Sequence, residues 1–357
     1  MNSNFLEKAG LRSCYKNQLK EGEKPSDIAR ICHVHRDCYI GINSLGEEVS
    51  LKLVGAALSA ALENDFLPVV GDFVVTLENP LASFSSIVRI LERENEIARH
   101  AAGKKQTLVS NIDGGLICTS LNQNFKVNRL QRFISLLRSS GVEPVVVLTK
   151  LDLYEGEIAI EDFVEELKCE LKIDKVICLS FETGENLNQL RSLLSAGESY
   201  VLIGSSGVGK STLTNFILGS DIQKTQAIRD SDGKGVHTTV SRSLHIHESG
   251  VIVDTPGMRG LMLVASSDEL DESFSDVSEL IAKCRFTNCT HQNEPGCMIL
   301  GSLESGDLDS DRYANYLRMR KEALYLQRRS DQGAYSEQRN KWKKLSVQYR
   351  KGKKVNV

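Results

Sequence analysis

The sequence predicts a multidomain α/β protein. A small β-barrel or sandwich comes first, a mostly parallel sheet with helices on both faces follows, and a helical region built on a metal-type cluster comes last. Three observations predict this order. Residues 29–98 hold short β-type runs such as "CYIGI", "EVSLKLV" and "VVGDFVVTL", broken by Gly, Asn and Pro. Residues 99–265 alternate aliphatic strands with amphipathic helices. Residues 266–330 place Cys284, Cys289, His291 and Cys297 within helix-type sequence. A polar leader, 1–28, and a basic tail, 331–357, complete the chain.

The leader begins "MNSNFLEKAGLRSC", without the apolar core of a secretory signal. No apolar run approaches the roughly 20 residues that span a bilayer. A cytoplasmic protein with no membrane association is expected. At 41% hydrophobic and 25% charged residues, the composition is that of an ordinary globular chain, which argues against global disorder. Cys14, Cys32, Cys38, Cys118, Cys169 and Cys178 are scattered and read as small buried thiols in a reducing compartment.

In the barrel region "GAALSAALEN" interrupts the β pattern. Beyond it, "TLVSNID" and "GLICTSL" read as strands, and "NRLQRFISLLRSSG" as an amphipathic helix stopped by Gly141. "PVVVLTK" has the continuous aliphatic character of a strand buried on both faces. A helix "AIEDFVEELKCELK", a buried strand "KVICLS" and a helix "NLNQLRSLLSAG" lead to "SYVLIGSSGVGKSTLTNFILG", a strand, a glycine loop and a helix. From Arg312 to Val357 fourteen Lys or Arg face three acids, although the whole chain carries a formal charge of −3. A basic end on an acidic body suits a polyanionic partner.

Gly204, Ser205, Ser206, Gly207, Val208, Gly209, Lys210 and Ser211 match the phosphate loop G-x-x-x-x-G-K-[ST] in full. Its amides point inward at a helix N-terminus, where anions are favoured. Lys210 is expected to reach the β- and γ-phosphates, Ser211 to hold Mg²⁺, and Thr212 to lie near the α-phosphate. "VIVDTPGMRG" supplies Asp254 for the metal's water shell and the Gly257 amide for the γ-phosphate.

"TKLD" (Thr149, Lys150, Leu151, Asp152) follows a buried strand, so it falls at the sheet edge where ligands bind. The Asp152 carboxylate can accept from guanine N1–H and N2–H₂ together, a pairing adenine cannot offer. Lys150 can lay its stem along the base. Ser180, in "LSFETGEN", is expected to close over the base with its neighbours' amides. The base-reading loop therefore precedes the phosphate loop. Rotating the order of an ordinary small GTPase produces this arrangement, because domain termini lie at the surface and tolerate a moved cut.

Cys284, Cys289, His291 and Cys297 form C-x₄-C-x-H-x₅-C, the donor set of a closed tetrahedral zinc site, with one structural Zn²⁺ expected per chain. The tight C-x-H pair requires a sharp turn.

With "VGDFV", "NID", "TKLD", "GSSGVGKST", "GVHTTV", "DTPGMRG" and "CRFTNCTHQNEPGC" on the chain, the sequence resembles the circularly permuted, ribosome small-subunit-dependent GTPases of the RsgA (YjeQ) type. The resemblance runs from about residue 30 to about residue 325 and implies an OB barrel, a permuted GTPase domain and a zinc-bearing C-terminal domain. It implies GTP hydrolysis, stimulated by the small (30S) ribosomal subunit and its rRNA, during late subunit maturation. Thr149 stands where Asn is frequent, which implies a weaker base or loop contact. Met258 takes the position of a water-orienting Gln, and His237 is expected to replace it. Thr238 or Thr239 is expected to ligate Mg²⁺, and sequence does not choose between them. "DTPG" leads directly into the cysteine region, so loss of the γ-phosphate is expected to release that segment.

Two other classes fit parts of the pattern: an RNA-binding GTPase switch in a non-ribosomal process, and an RNA-binding scaffold with a vestigial nucleotide site. The intact Lys210, Ser211 and Asp254 weigh against the scaffold. Nothing in the sequence requires more than a monomer.

Overall fold

The computed structural model describes residues 5–35, 38–78, 82–101, 104–121, 125–205, 207–219, 242–255, 270–271, 274–321, 323–325 and 328. Chain contacts divide it into two units, residues 1–97 with 107–260 and residues 98–106 with 261–357.

The first unit opens with two one-turn helices, α1 (Phe5–Lys8) and α2 (Ser13–Lys16). The leader is folded onto the barrel: Leu6, Ala9, Leu11 and Tyr15 share a core with Ile28, Phe73, Val75 and Leu91. Strands β1 (Ile28–Val34), β2 (Tyr39–Ile42), β3 (Glu48–Leu53), β4 (Phe73–Leu77) and β5 (Ser85–Ile90) follow. They run in the order β1-β2-β3-β5-β4, and β4 returns to pair with β1. That closes a five-stranded barrel of the OB type. The Ala-rich run that interrupts the β pattern is a helix, α3 (Gly55–Glu63), between the third and fourth strands. Its Ala61 packs on Ile31, Leu51, Val74 and Ile87 in the barrel interior.

A hairpin, β6 (Glu96–Ala101) and β7 (Lys104–Ser110), precedes the second sheet. That sheet uses β8 (Gly114–Ser120), β9 (Glu143–Thr149), β10 (Val176–Cys178), β11 (Ser199–Gly204), β12 (Ser243–His247) and β13 (Gly250–Asp254). Their spatial order is β10-β9-β8-β11-β13-β12, parallel except for β12. Helices α4 (Val127–Ser139), α5 (Ile160–Leu171), α6 (Leu187–Leu193) and α7 (Lys210–Leu218) make the connections. All seven residues of β8 and all six of β11 are buried, as their unbroken aliphatic runs require. Gly141, at φ +68°, ends the α4 segment as expected, its N–H bonding the Arg138 carbonyl.

Barrel and sheet are joined in one hydrogen-bonded surface through β1 and β12, paired at His33 and Ser243. Around this seam lie two buried ionic groups. Arg30, fully buried, donates to the carbonyls of Ala9, Gly71 and Asn111 and stacks over Phe73. Asp72 of "VGDFV" accepts from the Val69 amide, the Ser110 hydroxyl and both arms of Arg93. These bonds tie "VGDFV" to the turn "NID", so both motifs serve as a brace between barrel and sheet.

In the second unit, helix Ser275–Ala282, helix Met298–Ser305 and the helical residues 310–321 bury Phe274, Val277, Ile299, Tyr316 and Met319. Arg312 grips Asp276 with two bonds of 2.6 and 2.7 Å and lies over the Phe274 ring. The expected long basic helix is thus helical over 310–321, and its far end lies largely outside the described residues.

One expectation is corrected. Cys32, Cys118 and Cys178 are buried, but Cys14 and Cys169 are exposed and Cys38 is half-buried. Aliphatic neighbours along the chain do not fix which face of a helix a residue occupies. No described helix is long and apolar enough to cross a membrane.

Candidate functional site

The sheet's C-terminal edge collects the nucleotide motifs. Gly204 ends β11 opposite Cys118 of β8, Thr149 ends β9 opposite Ser120, and Asp254 ends β13 opposite Leu202. Parallel pairing forces this, since every strand delivers its last residue to the same edge.

Within the phosphate loop, Gly204 has φ +154°, and a Cβ there would stand 2.3 Å from the Cys118 carbonyl oxygen. The first glycine is therefore demanded by the neighbouring strand, not by the approach of phosphate. Gly207 (φ +80°) and Gly209 (φ +91°) take left-handed backbone and turn the chain into α7. Lys210 opens α7 and folds back, its Nζ donating to the carbonyls of Gly204 (2.8 Å) and Ser205 (2.6 Å). Ser211 and Thr212 follow in the exposed first turn. Asp254 is buried at the end of β13, and the next hydroxyl, Thr255, donates to the Leu202 carbonyl. Burial pushes the Cys118 thiol up to about 12; Lys210 opposes that shift and Asp254 adds to it, so both charges act on one spot beneath the loop.

The base-reading loop is held to the same place. The Thr149 hydroxyl, buried, lies 2.7 Å from the Val208 carbonyl oxygen and 3.2 Å from that of Thr119. Its single proton goes to the nearer, in the phosphate loop. The threonine expected to weaken a loop contact thus makes one. Lys150 adopts left-handed backbone at φ +60°, and Leu151 bonds the Leu179 carbonyl. Asp152 is exposed, and the fully buried Ser180 donates its hydroxyl proton to Oδ1 at 2.5 Å. Ser180 Oγ in turn accepts the amides of Glu182 and Thr183. Ser180 was expected to close over the base; what it does here is fix the carboxylate.

Ser206, His237, Thr238, Thr239, Gly257 and Met258 lie outside the described residues, as does the segment after "DTPG".

In the second unit the ligand atoms of Cys284, Cys289, His291 and Cys297 all lie within 4.8 Å of one another. His291 Nδ1 stands 3.6 Å from Cys284 Sγ and 3.4 Å from Cys297 Sγ. A tetrahedral zinc with bonds of about 2.3 Å to sulfur and about 2.0 Å to nitrogen has a sulfur–nitrogen edge of about 3.5 Å. The residues therefore fit the ion. His291 is in left-handed backbone at φ +59°, the sharp turn the C-x-H spacing demands. Sequence reasoning missed Glu294. Its carboxylate accepts from the Thr290 hydroxyl and amide and from the amides of Gln292 and Asn293, which flank His291. The Thr290 hydroxyl leads in holding it down to about 2. Glu294→Gln is expected to weaken zinc retention about tenfold in a chelator competition, because an amide matches fewer of those donors. Equal retention would mean the turn holds its shape without the carboxylate.

Known proteins can now be set beside this geometry. The profile of the RsgA GTPase family matches residues 90–264. A protein of Vibrio parahaemolyticus named small ribosomal subunit biogenesis GTPase RsgA 2 is 36% identical over 332 residues, covering 90% of this chain and 87% of its own. The chain belongs to the RsgA GTPase family. It is accordingly a GTP hydrolase with a circularly permuted nucleotide domain. The crystal structure of YjeQ from Thermotoga maritima superposes with a TM-score of 0.60 at 25% identity, covering 84% of this chain and 98% of that one. YloQ, described as a circularly permuted GTPase, shares the fold with a TM-score of 0.58 at 23% identity, over 86% of this chain and 98% of its own. The rotated order read from the motifs is thus the family's own, and a five-stranded barrel, a GTPase sheet and a Cys₃His helical region are its parts.

Proposed function

We propose that this RsgA-family chain binds GTP with Mg²⁺ at the edge of its parallel sheet and hydrolyses it on the small ribosomal subunit during late subunit maturation, in the cytoplasm. The observation that carries the site is the Thr149 hydroxyl on the Val208 carbonyl, which brings the base-reading and phosphate loops together despite their inverted order. The partner follows from the relative's name. The division into leader 1–28, barrel 29–98, nucleotide domain 99–265, zinc region 266–330 and basic tail 331–357 is kept, with the barrel strands falling between Ile28 and Ile90.

In this reading Asp152 and Lys150 read guanine, and residues 204–209 cradle the phosphates. Lys210 swings from the Gly204 and Ser205 carbonyls to the β- and γ-phosphates, a move its flexible stem allows. Ser211 and Thr238 or Thr239 hold Mg²⁺, Asp254 orders its water shell, and the Gly257 amide meets the γ-phosphate. The bound metal supplies charge neutralisation between the phosphates. His237 orients the attacking water in place of Met258. The barrel, the zinc region and the basic end engage rRNA, mostly through charge, since aromatic residues are only 6% of the chain.

Purified small subunits are expected to raise GTP turnover at least about tenfold, and His237→Ala to abolish that stimulation while leaving GTP affinity intact. Turnover indifferent to small subunits would favour a non-ribosomal switch. Stimulation unchanged in the variant would remove His237 from the chemistry.

A further inference from the structure

We infer that Arg129 is a phosphate-binding residue of the nucleotide site, a second cation beside Lys210 supplied by the helix that follows β8. The inference rests on the site reading above and deepens it.

Arg129 is the third residue of α4, and α4 follows β8, the strand whose Cys118 pairs with Gly204 at the base of the phosphate loop. Its guanidinium is partly buried, with Nη1 3.4 Å from the Ser205 hydroxyl, inside the loop. That contact is long and its acceptor is neutral. Among the described residues no carboxylate is paired with Arg129, whereas the other well-placed arginines of this unit each have one: Arg12 with Asp113, Arg89 with Glu23, Arg93 with Asp72.

The helix makes this charge harder to explain as structure. The first turn of α4 contains no acid, and its N-cap is Lys126. A cation in a first helical turn opposes the helix dipole, which favours anions there. An arginine with an unneutralised charge, at the positive end of a helix and against a phosphate loop, has one complementary ligand within reach of that geometry: the phosphates the loop holds. Its planar fork suits two phosphate oxygens at once. With phosphate bound, the arginine, the α4 terminus and the α7 terminus all act on the same anion.

Sequence reading passed over this residue because an arginine in an amphipathic helix is usually a solvated one. Only the β8–β11 pairing brings it to the loop.

The test is nucleotide binding by the full chain, measured by titration with fluorescent GTP and GDP, for Arg129→Ala, Arg129→Lys and Lys210→Ala. Melting of the nucleotide-free proteins is followed alongside. Arg129→Ala is expected to lose tenfold or more in affinity for at least one nucleotide, with nucleotide-free melting unchanged and Arg129→Lys recovering part of the loss. Affinities within twofold of the parent for both nucleotides would overturn the inference. So would equal losses in both Arg129 variants accompanied by lower melting, which would mark a packing role. If Lys210→Ala also binds normally, the phosphate-loop reading itself fails. If Lys210→Ala loses binding and Arg129→Ala does not, only the role of Arg129 fails.

Discussion

Asp152→Asn is expected to lower GTP affinity about a hundredfold and to raise affinity for xanthosine triphosphate by a similar factor. The magnitude follows from losing a bidentate pair on a base edge, about 1–3 kcal/mol, and adding a donor that faces donors. The direction follows from Ser180. Its hydroxyl proton goes to Asp152 Oδ1, and its oxygen is held by two backbone amides, so it cannot turn to serve as an acceptor instead. In the asparagine variant the carbonyl oxygen must keep that bond, which points the new NH₂ at the base. Guanine presents N1–H and N2–H₂ there and is repelled; xanthine presents a 2-oxo group and is accepted. Competition titration of the two triphosphates against one fluorescent analogue checks this. Unchanged preference for GTP would mean that another residue reads the base.

The second large effect is on stability. Asp72→Ala is expected to cost about 3 kcal/mol, because removing one partner of a buried ion pair strands the other. Asp72 is 1% exposed, and the Arg93 side chain with which it makes two bonds is 7% exposed. The change also orphans the Ser110 hydroxyl and the Val69 amide. Arg93 keeps Glu96, which holds the loss to the lower end of the range for broken pairs. For a unit of this size the melting temperature should fall by roughly 10 °C. Calorimetry or a dye-monitored melt reads it directly, and a fall under about 2 °C would show that the brace is not what fastens the barrel.

Much of this architecture was legible because burial leaves marks on sequence. Strands β8, β9 and β11 are sealed on both faces, so they read as unbroken aliphatic runs, and α4 shows its buried stripe of Leu130, Ile134 and Leu137 at helical spacing. Phosphate loop, "TKLD" and the Cys₃His spacing were legible because each is a local backbone requirement. Other features left weaker marks. Helices α1 and α2 are four residues each, too short to display a period, and only the partners of Leu6 and Tyr15 reveal that the leader is packed. Helix α3 is so rich in alanine that it carries neither a strand nor a helix stripe. The side-chain couplings were invisible, because Ser180 to Asp152, Thr149 to Val208 and Arg129 to Ser205 span 28, 59 and 76 positions. Glu294 is the exception: an acid in the turn between Cys289 and Cys297 was available as a signal, and its role as a brace for backbone amides could have been read from it.

A structure of the chain with Mg²⁺ and a non-hydrolysable GTP analogue measures the central claim directly. The account predicts one nucleotide with its guanine edge on the Asp152 carboxylate and its β- and γ-phosphates at Lys210 and the amides of residues 207–211. A guanine bound away from Asp152, or phosphates held outside that loop, would contradict it.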